Sequence, residues 1–233
     1  PYGETEVFRF YEGPIDAPGR GKTPEGPEGR LNAWPLNEAY LDGVKGKPTG
    51  GLIHMPEVPI TREALLARNA TKDEAEVTLG WHAIEFMLWG QDHAADGPGA
   101  RAWADYAGAG AAPTRRRAYL ALVAQLLVED LDGLVAAWAP SARNYARDFA
   151  KLAQPKALSH IMTAMATLSG FELASERIAV PLDSRSQEDE HSCFSDTTHQ
   201  DIAANAWGIY EVYMGDEAKG HTGVHALAMA TAP

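Results

Sequence analysis

"TRRRAYLALVAQLLVEDLDGLVAAW", residues 114–138, decides the fold class. Leu120, Val123, Leu127, Leu131, Leu134 and Trp138 recur at spacings of three and four, which lines them along one stripe of a helix. Pro140 stops that helix, because proline supplies no backbone donor and clashes with the preceding turn. On its N-terminal side, Thr61 suits an N-cap, and Glu63 to Leu66 begin a helix that Asn69 to Thr71 interrupt. A second piece is expected from Lys72 to Trp89, closed by Gly90. Earlier still, Pro35 opens a short helix reaching Val44, and residues 1–11 read as the tail of a helix. The Gly- and Pro-bearing stretches 13–29, 45–60 and 92–112 read as loops.

The C-terminal side continues the pattern. Helices are expected over Ser141–Leu152 and Lys156–Ile178, the latter apolar through Leu158, Ile161, Met162, Met165, Leu168 and Phe171. A polar connection follows. Asp196 or Thr197 then caps a helix through Ile202, Ala206, Ile209, Tyr210 and Tyr213 to Gly215, and the last 18 residues are expected to be weakly ordered. No set of alternating strands interleaves these segments. The expected class is all-α, with two helical-bundle halves, 1–112 and 113–233, and long irregular loops. "RFYEGPID" (9–16) and "ERIAVPLD" (176–183) form a faint internal echo that points to duplication.

Composition narrows the function classes. A chain of 233 residues that is 45% hydrophobic and 22% charged can bury a sizeable core. Its net charge of −12 repels phosphate backbones, so nucleic acid is a poor partner. The single cysteine, Cys193, excludes an intrachain disulfide and any cysteine-rich metal site. No apolar stretch approaches the roughly 20 residues of a membrane span. The chain opens at Pro1 without an initiator methionine, a basic start or an apolar stretch, so it reads as a mature, trimmed or partial product whose export signal would lie outside it. No nucleophile elbow, phosphate loop or dinucleotide-binding glycine pattern stands out.

Three segments carry candidate chemistry. In "GWHAIEFMLWGQD" (80–92), His82 and Glu85 sit three apart among apolar residues, hence on one helix face. That spacing suits two ligands of one metal ion, and equally a hydrogen-bonded pair that orders a core. The di-iron order Glu-x-x-His is reversed here, and the zinc-peptidase motif His-Glu-x-x-His is absent, with Ala83 and Phe86 at its second and fifth positions. "EDEHSCFSDTTHQD" (188–201) gathers His191, Asp196 and His199 among further acids, a donor set suited to iron, zinc or copper, or to a solvated loop with Asp196 as a helix cap. Within it "SCFSD", beginning at Ser192, suggests a loop packed against the body. In "RLNAWPLNEAY" (30–40), Trp34 and Pro35 dock a loop whose Arg30, Asn32 and Glu38 suit either a site or an equally expected structural role. Glu172 and Glu176, followed by Arg177, read as an internal salt-bridge set or, facing inward, as a cation site.

Four segments in order, "TEVFRFYEGPID", "EGRLNAWPLNEAYLD", "GWHAIEFMLWGQD" and "EDEHSCFSDTTHQDI", resemble the imelysin-like proteins, specifically their iron-regulated branch. Gly80, His82 and Glu85 match the hallmark Gly-x-His-x-x-Glu, and the resemblance spans almost the whole chain. It implies two helical halves related by duplication, with a site where they meet, and a longer parent protein with a signal peptide. It implies a bacterial envelope protein, periplasmic or lipid-anchored at the outer membrane, that serves iron acquisition alongside other envelope iron-uptake proteins. It also implies a metallopeptidase alternative, in which His82 and Glu85 bind zinc and Asp196, His191 or Glu172 supplies a third ligand. The expected function is therefore a non-catalytic protein binding iron or an iron-containing ligand such as haem, through His82, Glu85, His191 and Asp196. The alternatives are the zinc peptidase and a peptide- or partner-binding scaffold with a structural His–Glu pair.

Overall fold

Local rules account for most of the helices. The computed structural model describes residues 13–15, 26–94, 96–140 and 143–231, and the chain in it is mostly helical. It divides into two compact units. The first comprises Pro14–Ala139 together with a short return segment, Ser192–Asp196; the second comprises Pro140–His191 and the chain from Thr197 onward. The units part at residues 139/140, beyond the 112/113 line read from the sequence. Residues 1–11, expected as a helix tail, lie outside the described residues.

In the first unit the helical segments are α1 (Glu28–Leu31), α2 (Glu38–Leu41), α3 (Arg62–Leu66), α4 (Trp81–Trp89) and α5 (Ala111–Trp138), with 3-10 turns at Leu52–His54 and Trp103–Asp105. Thr61 caps α3 as expected, its hydroxyl accepting from Ala64 N–H at 3.3 Å. The long helix α5 buries Tyr119, Val123, Leu126 and Leu127, positions i, i+4, i+7 and i+8 of one face. Tyr119, Val123 and Leu126 join Leu41, Ile53, Leu65, Val77, Phe86 and Phe194 in the core. The expected stripe continues to Trp138, yet that end is not buried: Trp138 is half exposed.

The expected helix over Lys72–Trp89 begins only at Trp81. Gly80 has φ +90° and ψ −173°, a conformation outside the right-handed helix that glycine alone adopts readily. A Cβ there would sit 2.5 Å from Leu31 O and 2.9 Å from Arg30 O. Upstream, the chain is organised by Asn69, whose amide donates to Gly29 O at 2.7 Å and accepts from Thr78 N–H at 2.9 Å. Tyr119, fully buried, donates to Thr78 O at 2.8 Å and ties this strand-like approach to α5. Helical periodicity in 72–79 is thus overridden by side-chain and tertiary hydrogen bonds.

The second unit contains α6 (Tyr145–Phe149), capped by Asn144, and then a nearly continuous helical run: α7 (Gln154–Ala166), a π-wound stretch (Thr167–Ala179) and α8 (Val180–Ser184). After a 3-10 turn at Gln187–Asp189 comes α9 (Thr198–Met214), with Thr197 at the N-cap position. The tail is more ordered than its composition suggests. β1 (Gly215–Asp216) and β2 (His221–Thr222) form a small antiparallel hairpin, and α10 (Val224–Thr231) follows. Gly215 and Gly223 allow that turn, since a Cβ on Gly223 would stand 2.3 Å from Gly215 N. No helix among the described residues is long and apolar enough to cross a membrane.

Candidate functional site

Helix α4 carries the sequence motif into the core of the first unit. His82 and Glu85 are 2% and 8% exposed, and His82 Nδ1 lies 3.1 Å from Glu85 Oε2. The other carboxylate oxygen, Oε1, accepts two hydrogen bonds from one residue: Ser195 N–H at 2.9 Å and Ser195 O–H at 2.6 Å. Above this pair, the Trp34 ring stands 4.7 Å from the His82 ring and 5.9 Å from that of Phe194, and Phe194 packs at 5.3 Å on Phe86. The order Ser–Glu–His is not that of a nucleophile triad. There the serine hydroxyl must donate to imidazole, whereas here it donates to the carboxylate.

The other expected site residues fall into separate settings. Arg30 makes a bidentate ion pair with Asp130 on α5, at 3.0 and 2.8 Å, and so braces α1. Asn32 closes α1 through its backbone N–H to Glu28 O. Ser192 is buried within the return segment, while Asp196 at its end is exposed, with φ +56°. In the second unit, His191 Nδ1 is 2.9 Å from Asp201 Oδ2. Arg177 donates to Asn205 Oδ1 at 2.7 Å and pairs with Glu172 at 3.6 Å. The π winding of Thr167–Ala179 brings residues five apart together, which suits that last pair better than the four-residue spacing of Glu172 and Glu176. His199 is exposed.

Two features were not read from the sequence. One is Ser195, 110 positions from the glutamate it serves. The other is Asp42, which is fully buried and accepts from Arg116 Nε and Nη2 at 2.7 and 2.9 Å, Arg101 Nη1 at 3.0 Å and Gly43 N–H at 2.7 Å, with His54 Nε2 at 3.3 Å. Burial by itself raises the Asp42 pKa, but hydrogen bonds from Arg116 and Gly43 and the charges of Arg101 and Arg116 outweigh it and hold the carboxyl below its usual range. Arg101 also lies over the Phe86 ring, 5.1 Å from its centroid. The signals were a lone acid in "AYLDGV" and the arginine triplet 115–117 at the start of an amphipathic helix. Beside Arg101, where α4 ends at Gly90, a cavity of about 490 Å³ is lined by Lys45, Trp89, Gln91, Asp92, His93 and Asp105, among others.

Does this donor set fit the metal that the motif implies? His82 turns Nδ1 to Glu85 and buries its second ring nitrogen, Nε2, while both Glu85 oxygens already accept hydrogen bonds. Among the described residues, no group of three or more His, Cys, Asp or Glu side chains is placed to hold an ion. A catalytic zinc needs about three protein ligands and an open position. The described residues do not assemble that many.

Fold and motif together define an all-α protein whose signature helix buries a His–Glu pair in its core. The sequence model of the family described as Imelysin matches residues 1–233, the whole chain, and the chain belongs to that family. Among curated proteins, none matches it.

Proposed function

We propose that this chain is a non-catalytic binding protein of bacterial iron acquisition, working in the periplasm or at the periplasmic face of the outer membrane, and that it takes iron in chelated form. The single observation that carries this reading is the donor set around Glu85. Its carboxylate is engaged by Ser195 and His82, and no group of three or more His, Cys, Asp or Glu side chains gathers to hold an ion among the described residues. An ion bound by such a protein would bring most of its own ligands. The family resemblance supports the iron link and the envelope location. The cavity at the C-terminal end of α4 is the candidate seat: its volume is within the range of small-molecule sites, and Lys45, His93, Asp92 and Asp105 offer it both signs of charge.

The test is calorimetric titration of the protein with ferric citrate, haemin and zinc chloride, repeated on Lys45→Ala/His93→Ala. The reading expects saturable binding of one iron chelate, weakened at least tenfold in the double variant, and no tight zinc site. Chelator-sensitive hydrolysis of an unfolded protein substrate, abolished in Glu85→Ala, would instead establish the zinc peptidase. Absence of binding to either iron compound would sink the proposal.

A further inference from the structure

We infer that the Gly-x-His-x-x-Glu signature of this chain is a three-way structural junction, with Glu85 as the latch that holds the return segment Ser192–Asp196 in the first unit. Two positions of the motif grip the 30–34 segment and the third grips the return segment. Gly80 lets the chain approach the Arg30–Leu31 backbone so closely that any Cβ would collide with it. His82, three residues into the motif, packs its ring beneath Trp34. Glu85, one turn further, takes both polar hydrogens of Ser195. The residues it grips lie in two of the other segments that carry the family resemblance, so the motif is where distant parts of the chain are knitted together.

The chemistry of the latch is specific. A buried carboxylate needs several donors, and one serine supplies two to the same oxygen when its N–H and O–H point the same way. The return segment adds Phe194, buried against Phe86 and Trp34, and Phe194 O accepts from Gly99 N–H at 2.9 Å. Apolar burial brings the segment to the core, and the Ser195–Glu85 pair fixes its register. Glycine and glutamate each serve here for a reason that involves no metal, and histidine adds a ring contact to Trp34 and an Nδ1 contact to Glu85. This inference goes beyond the iron reading, with which it shares the engagement of Glu85 by Ser195 and His82.

Residue-resolved hydrogen exchange on the whole chain tests it, using wild type, Glu85→Ala and Ser195→Ala, each with EDTA and with added zinc chloride. The latch predicts that the Cys193–Asp196 amides exchange at least tenfold faster in Glu85→Ala, while those of Val123 and Leu126 change by less than about twofold. Ser195→Ala, which removes the O–H but retains the N–H, should give a smaller acceleration of the same segment. EDTA and zinc should leave wild-type exchange unaltered, an arm that remains decisive even if Glu85→Ala does not fold. Unchanged exchange at 193–196 in Glu85→Ala overturns the inference, as does equal acceleration throughout the first unit. Slowing of wild-type exchange at 193–196 by zinc, reversed by EDTA, overturns it in favour of a metal site. Iron-chelate binding can survive or fail in any of these cases, which keeps the two proposals separable.

Discussion

Replacing Asp42 by asparagine removes one charge and keeps the side-chain shape, and its effect should be large. The carboxylate is fully buried and receives four hydrogen bonds, two from Arg116 and one each from Arg101 and Gly43. The Arg101 and Arg116 side chains are only 6% and 11% exposed, so neither guanidinium can turn to water when its partner is lost. Breaking a buried ion pair on one side costs about 3–5 kcal/mol, most of it from the stranded charge. For a chain of this size each kcal/mol lowers the melting temperature by about 2–4 °C, so Asp42→Asn should melt roughly 10 °C lower. Circular dichroism at pH 7 reads this directly. The pH dependence adds a second signature. Because the folded-state pKa is depressed, the Asp42 contribution is fully present above the unfolded-state value of about 4 and is lost as pH falls through the lower folded value. The gap between wild type and Asp42→Asn should therefore be constant from pH 8 to about pH 5 and close under stronger acid. A melting temperature within about 2 °C of wild type, or a gap that widens in acid, would refute the reasoning.

Gly80→Ala should destabilise the first unit by about 2–4 kcal/mol, because it combines a glycine-only backbone with a collision against Leu31 O; urea unfolding measures it. Tyr119→Phe leaves the buried Thr78 carbonyl without its donor and should cost about 1–3 kcal/mol. Burial pushes the Tyr119 phenol far above its ordinary range, so the same substitution should not change the 295 nm titration of the folded protein in alkali. Arg30→Ala should cost only about 1 kcal/mol, since that ion pair with Asp130 is partly solvated, and it should leave iron-chelate binding untouched.

What the sequence made legible was governed by short-range rules. The stripe in 114–138, the Thr61 cap and the end of α4 at Gly90 all follow from spacing and backbone chemistry within a turn or two. The start of α4 escaped because residues 72–79 have helix-compatible composition, while Asn69 and Tyr119 capture the backbone amide and carbonyl of Thr78 for other purposes. The tail was expected to be weakly ordered, but Gly215 and Gly223 permit a tight hairpin there. For the site, the spacing of His82 and Glu85 was readable, and so was the docking of Trp34. Their partner Ser195 was not, and neither was the meeting of Asp42 with Arg101 and Arg116, 59 and 74 positions away. Contacts at such separations leave only the oddity of a charged residue in an apolar run.

The return segment has a consequence for how the chain can be cut. The first unit is not a contiguous stretch: it includes Ser192–Asp196, which interrupts the sequence of the second. A fragment ending at Ala139 would keep every helix of the first unit yet lack Phe194 and both donors to Glu85 Oε1. Neither unit can therefore be gained, lost or exchanged as a cassette by a single break in the gene. A designer wishing to isolate the first unit must graft the pentapeptide back, or permute the chain so that 192–196 leads into Pro14.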